Sequence, residues 1–359
     1  MLADAVIVGN GTAGLSTSIH LRGHGLTTVV LGRARATHKV GEVLAPIAKD
    51  EFARLGILGR MRENCSFTSA GVSVWWGGLA RRDWDYIFDP HGSGWHLDKV
   101  AFEGLLTAET LRLGTLVQTA TRIHTCWRDG SGRWTVEYSD ADDNLKAVSG
   151  RIFVNAAGRS AQFSSVTGTR TYDDRLMACY CYFKRDDCFE AWEPRFWVEA
   201  TPHGWWYSAP LPHSQAVAVF LTDSDLVVKD AETCFWTRIQ DAPNTLVRLQ
   251  AGQPYGKARY CSARSGICSG YKQPASLSVG DAAFTSDPIR GHGLLQAMRQ
   301  SAEAAEVVAR YLGGDGTAIL SFEEALRVRY RTFRAGLHRH YSAEDRWQEH
   351  PFWVRRRGN

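Results

Sequence analysis

Ala5-Val6-Ile7-Val8-Gly9-Asn10-Gly11-Thr12-Ala13-Gly14 joins an apolar run to a glycine turn of G-x-G-x-x-G spacing, and the residues after it read as a helix through Leu21. A second apolar strand over 28–31 completes a βαβ unit. The first glycine permits a tight turn, the second lets the backbone approach a pyrophosphate, and the third lets the helix pack closely on the strand. The helix N-terminus then faces the phosphate charge. Gly9, Gly11, Thr12, Ala13 and Gly14 are therefore expected to cradle a dinucleotide.

Such a unit ordinarily carries a carboxylate at the end of its second strand, about twenty residues on, which accepts hydrogen bonds from ribose hydroxyls. Gly32 stands at that place, followed by Arg33. A guanidinium cannot accept a hydrogen bond, so Arg33 is assigned to the adenosine side only as a contact, and weaker holding of the dinucleotide is expected. No second G-x-G-x-x-G follows and no repeat is found, which disfavours a reductase with two dinucleotide domains.

Helices are expected over 47–55 and 99–111, and strands over 114–121, 133–138 and 151–155. The stretch 170–264 alternates and is rich in aromatic residues, as an antiparallel sheet would be. Another strand over 276–281 leads into helices over 294–312 and 321–346. The expected fold class is α/β: a Rossmann-like dinucleotide-binding domain from 1–65, 95–165 and 265–315, an inserted mostly antiparallel β substrate domain from 66–94 and 166–264, and a C-terminal helical extension over 316–359.

The more specific signal lies late in the chain. Gly280-Asp281 ends a strand, and Asp287-Pro288-Ile289-Arg290-Gly291-His292-Gly293-Leu294 opens a helix. A carboxylate so placed reaches ribitol hydroxyls, while glycines at a helix start let backbone N–H groups approach a flavin ring and stabilise negative charge on it. Gly280, Asp281, Pro288, Gly291, His292, Gly293 and Leu294 are expected to hold the flavin half of FAD.

Bulk properties narrow the remaining classes. The 359 residues, 44% hydrophobic and 22% charged, suit an ordered globular protein with a full core. A formal charge of +4 without a basic stripe argues against nucleic acid, and the basic C-terminal run from Arg327 to Arg357 reads as a solvated helical tail. No apolar run approaches the ~20 residues of a membrane span. Met1 leads into a strand too soon for a cleaved signal, so a cytoplasmic protein is expected. The eight cysteines lack metal-ligand spacing, and most read as reduced core thiols, with no metal site.

Together, the Gly9–Gly14 turn, Val40-Gly41-Glu42, Gly94-Trp95-His96-Leu97-Asp98-Lys99, Asn155-Ala156-Ala157-Gly158-Arg159, Gly280-Asp281 and 291–294 resemble the single-component flavin hydroxylases and flavin-dependent tryptophan halogenases. Phe88-Asp89-Pro90-His91-Gly92, Gly204-Trp205-Trp206-Tyr207 and Phe352-Trp353-Val354-Arg355-Arg356 are most similar to a branch that accompanies quinone-cofactor amine and amino-acid oxidases and oxygenates a tryptophan of its partner. The resemblance implies an FAD-dependent monooxygenase that hydroxylates an indole or tryptophan through a flavin C4a-hydroperoxide. Its electrons would come from NAD(P)H or a separate flavin reductase. The substrate would be an aromatic small molecule or a tryptophan of a precursor protein, the latter in a complex with a partner oxidase during tryptophylquinone biogenesis.

The chain also departs from that family. Asn155 replaces the usual Asp, and the stretch Phe67-Thr68-Ser69-Ala70 lacks the lysine a halogenase needs to carry hypohalous acid. Halogenation or hydroxylation of a small natural product, an alkene reductase, and a non-catalytic maturation partner with a degenerate FAD site stand as alternatives. Glu42, which also belongs to the expected cofactor set, and His292 are the candidate acid/base residues. Trp76, Trp206 and Tyr207 are the candidate substrate contacts, with Trp75, Trp95 and Trp205 weaker ones; His91 and His96 read as buried, satisfied histidines.

Overall fold

The computed structural model describes residues 2–34, 42–64, 66–160, 162–185 and 192–358. Strand Leu2–Val8, almost wholly apolar, runs parallel between Thr28–Arg33 and Leu145–Asn155, placing Val8 beside both Leu31 and Asn155. Leu116–Ala120 adds parallel to the outside of Thr28–Arg33. The eleven-residue strand Leu145–Asn155 has a divided outer edge: its first half pairs antiparallel with Trp134–Ser139, and its last three residues pair parallel with Ser276–Ser278. Residues 276–278 thus rejoin the sheet started by residue 2, which makes the dinucleotide unit discontinuous in sequence.

The strand Arg122–Arg128, absent from the sequence expectation, pairs outside Trp134–Ser139. Helix Thr12–Gly23 packs against helix Gly293–Leu312 and helix Lys99–Arg112. The last of these starts cleanly because the Asp98 carboxylate accepts from the Val100 and Ala101 N–H groups at 2.9 and 3.0 Å.

A second seven-stranded sheet carries, in order, Gln253–Ser262, Leu176–Lys184, Gln215–Asp223, Gly204–Leu211, Arg195–Thr201, Gly71–Trp75 and Arg82–Asp85. All its pairings are antiparallel except the parallel one between Arg195–Thr201 and Gly71–Trp75. One face belongs to a core shared with the first sheet, and the other, with Cys179, Cys181, Trp206, Phe220 and Phe235, forms a smaller core. Across the boundary expected at residue 66, Ser66–Ser69 pairs with Gly94–Leu97, which also pairs with Glu42–Leu44.

The C-terminal run is also not a solvated tail. Helices Ala318–Ser342 and Pro351–Arg357 bury Phe352 and Trp353 completely, the Trp353 indole N–H donates to the Thr201 carbonyl at 2.9 Å, and Arg356 pairs with Asp223 at 2.7 Å. Its cations are largely spent on neighbouring carboxylates, as in Arg331 with Glu324 and Arg355 with Asp225. Among the described residues no helix is long and apolar enough to cross a membrane, and no cluster could hold a metal ion.

Candidate functional site

A cavity of about 1090 Å³ begins at the carboxyl ends of the first sheet's strands and reaches the inner face of the second sheet. Such a position, outside the strand ends of an α/β sheet, is where these folds bind ligands. Gly9, Gly11, Thr12 and Ala13 line it, as do Arg33, Asp281, Pro288, Gly291, His292, Gly293 and Leu294. Gly14 lies buried beneath the loop. Neither helix Thr12–Gly23 nor helix Gly293–Leu312 has a side-chain cap at its N-terminus, and both N-termini border the cavity. Two sets of backbone N–H groups without side-chain caps are thereby presented to a ligand.

Two glycines make this approach possible. Gly9 has φ +118°, and a Cβ there would lie 2.1 Å from the Ala156 carbonyl oxygen. Gly280 has φ +60°, and a Cβ there would meet the Ala13 Cβ at 2.6 Å, so the turn bearing Asp281 touches the first helix only as glycine. Asp281 itself is held by Arg159, with Nε to Oδ2 at 3.2 Å. Asn155, where the family pattern has Asp, is fully buried: its Oδ1 accepts from the Ala157 N–H at 3.2 Å and its Nδ2 donates to Thr167 Oγ1 at 3.3 Å. A neutral amide satisfies that buried position without the desolvation cost of a carboxylate.

The far wall of the cavity is the second sheet, and strand alternation decides which side chains reach it. Val72, Val74, Phe196, Val198 and Tyr207 line it; Phe196 and Tyr207 lie 5.3 Å apart. Trp76 also lines it, fixed by its indole N–H on the His340 carbonyl at 2.9 Å and by edge contact with Trp353 at 5.2 Å. Trp206 is a correction. One residue from Tyr207, it faces the other way into the smaller core, fully buried and stacked 5.0 Å from Phe220. Trp75, Trp95 and Trp205 are likewise core side chains.

A family model described as an FAD binding domain matches residues 3–325. The chain belongs to that family. This FAD-binding protein is a flavin-dependent oxidoreductase. It is 25% identical to LodB of Marinomonas mediterranea, whose name describes an FAD-dependent oxidoreductase, over 98% of this chain and 96% of that one. Its fold matches the myxobacterial chondrochloren halogenase CndH with a TM-score of 0.90 at 21% identity, covering 99% of this chain and 86% of that chain. It matches the peptidyl tryptophan dihydroxylase QhpG, essential for tryptophylquinone cofactor biogenesis, with a TM-score of 0.79 at 20% identity, covering 99% and 79%.

The residues present fit FAD: two uncapped helix N-termini and an acidic residue, Asp281, border one cavity. His292 borders the cavity and has its pKa lowered by burial, then by the Arg290 and Arg299 guanidinium groups, which keeps the ring neutral at neutral pH. The Glu42 side chain lies outside the described residues, although its backbone pairs with Leu97. Behind Pro288, Asp287 is 2% exposed, accepts from Tyr341 Oη at 2.6 Å and caps the Ile289 N–H at 2.9 Å; burial pushes its carboxyl up to about 6. Sequence reasoning missed Asn10, Lys99, Glu103 and Arg159, which all line the cavity. Lys99 and Glu103 start the helix after Asp98, a position the capping signal could have flagged.

Proposed function

We propose that this protein hydroxylates the indole of a tryptophan carried on a partner polypeptide. The observation that carries the reading is the cavity's rim. Trp84 and Tyr86 line the cavity, and Trp84 together with Ile87 and Phe88, the two residues that follow Tyr86, is 55, 83 and 87% exposed respectively. Contiguous exposed apolar side chains mark interaction surfaces, and here they adjoin the place where an aromatic ring would lie against Phe196, Tyr207 and Trp76. A small free aromatic has no use for such a rim, whereas a protein presenting one side chain buries it. A partner oxidase precursor fits that description, and the fold shared with QhpG supports the same reading.

FAD held in this cavity and reduced by NAD(P)H or a separate flavin reductase would supply activated oxygen. The chain's own residues do the rest. Backbone N–H groups at Gly293 and Leu294 stabilise negative charge on the flavin side. The apolar sheet face excludes water, and neutral His292 accepts the proton that an aromatic carbon loses as its new C–O bond forms. Glu42 remains the other candidate base.

Halogenation is the second reading, favoured by the Lys99 side chain in the cavity, since an amine there supplies what 67–70 lacks. The test is to load the protein with FAD, reduce it, and admit oxygen in the presence of a tryptophan-containing peptide or free tryptophan, with and without bromide. Mass gain of one or two oxygen atoms on the peptide alone supports the proposal. Oxygenation of free tryptophan at equal efficiency, or bromide incorporation, overturns it.

A further inference from the structure

Gly32, at the end of the second strand, closes one side of the cavity beside Arg33. Its φ lies outside the left-handed region, so nothing in its backbone demands glycine. Its neighbour does. A Cβ on residue 32 would lie 2.0 Å from Asn10 Cγ and 2.3 Å from both Asn10 Cβ and Oδ1. The Asn10 side chain therefore occupies the volume from which a side chain at 32 would grow, and the two cannot coexist.

The orientation of that amide is fixed by its chemistry. Asn10 Nδ2 donates to the Arg33 carbonyl at 2.9 Å. A carbonyl can only accept, so the nitrogen must face it and the oxygen must face away. Asn10 itself lines the cavity between Gly9 and Gly11. We propose that Asn10 Oδ1 is the acceptor for the adenosine ribose hydroxyls of FAD, replacing the carboxylate that position 32 lacks. The inference rests on FAD occupying this cavity. On this account Gly32 and Asn10 are one coordinated exchange: a charged acceptor on the strand has been traded for a neutral acceptor on the glycine turn. An amide offers one acceptor oxygen where a carboxylate offers two, so the ribose is held by fewer and weaker bonds.

The experiment titrates FAD, and an FAD analogue whose adenosine lacks both ribose hydroxyls, into the wild-type chain and variants, with flavin fluorescence giving Kd. The wild type should bind FAD about three- to tenfold more tightly than the analogue, the scale of one neutral hydrogen bond. Asn10→Ala should bring that ratio to about one, and Asn10→Leu, which keeps the volume but has no acceptor, should do the same. Gly32→Glu should weaken FAD, because its side chain starts inside Asn10. Asn10→Gly combined with Gly32→Glu should recover binding and restore the preference for ribose hydroxyls. An unchanged ratio in Asn10→Ala or Asn10→Leu, or tighter FAD binding by Gly32→Glu alone, overturns the inference. Failure of the tryptophan reading would leave these ratios intact, so the two proposals fail separately.

Discussion

His96 sits in the middle of the small sheet formed by Glu42–Leu44, Gly94–Leu97 and Ser66–Ser69, with no exposed surface and Phe67 stacked on it at 4.7 Å. Burial lowers its pKa to about 3; the Pro194 carbonyl opposes that shift, the Arg248 charge adds to it, and neither ring nitrogen makes a hydrogen bond of ordinary geometry to the described residues. A histidine with its folded pKa depressed is neutral in the native state. Its contribution is neutral above the unfolded value of 6.5 and turns destabilising as pH falls from there toward 3, because the unfolded chain takes up a proton that the native one refuses. His96→Leu should therefore leave stability at pH 7 within about 1 kcal/mol of wild type or raise it, since the only polar contact removed is the weak one to the Pro194 carbonyl. At pH 5 the variant should be more stable than wild type by roughly 2 kcal/mol, at 1.36 kcal/mol per unit. Urea unfolding at both values checks this; equal variant and wild-type stabilities at pH 5 would refute the neutral assignment. The sequence reading of His96 as buried holds and its reading as satisfied does not, because its polar surroundings come from position 194, distant in the chain. Side-chain parity had the same limit: Trp206 and Tyr207 are adjacent and both aromatic, and only the register against Gln215–Asp223 decides which one meets the cavity.

The short helix Pro351–Arg357 reaches several distant parts of the fold. Trp353 is fully buried against Trp76, Tyr341 and Phe352, and its indole N–H holds the end of strand Arg195–Thr201. Arg356 pairs with Asp223 and lies 5.1 Å over the Tyr341 ring; the Tyr341 hydroxyl in turn holds Asp287 at the start of the turn that carries His292. The helix thus braces both the substrate wall and the flavin turn. Trp353→Ala should cost about 3–5 kcal/mol of stability, the range for a large buried aromatic. Near-ultraviolet circular dichroism should also report loosening of the Trp76 and Trp205 environment. A loss under 1 kcal/mol with an unchanged spectrum would show that the helix does not brace the site. Charge counting could not reveal this docking, because the partners Asp223 and Asp225 are distant in sequence. The long helices were legible since apolar period and caps are local, as the match of 99–111 to Lys99–Arg112 shows. The strand Arg122–Arg128 was not, its alternation being blurred by exposed polar residues on a sheet edge.

At the scale of the whole molecule, the glycine-bearing segments announced the dinucleotide unit, since turn chemistry and helix N-termini are fixed by a few neighbouring residues. The second sheet's order, and the way Leu145–Asn155 divides its edge between residues from 134–139 and 276–278, required long-range pairing that no local pattern encodes. That pairing has a thermodynamic consequence. One continuous core runs from Val6 and Leu31 of the first sheet through Val198 and Leu221 of the second to Leu337 and Trp353 of the C-terminal helices, and the cavity lies within what it encloses. Neither sheet can lose its inner face without exposing the other's, so the chain should unfold in one cooperative step although it is longer than most two-state domains. Far-ultraviolet circular dichroism, which follows both sheets, and tryptophan fluorescence, weighted toward the second sheet and its Trp205 and Trp206, should give coincident urea transitions. FAD at a hundredfold excess over its Kd should move both together by about 2.7 kcal/mol. If FAD shifts only the dichroism transition and leaves the fluorescence transition in place, the second sheet is an independent unit, and its face is not part of the site that the cofactor stabilises.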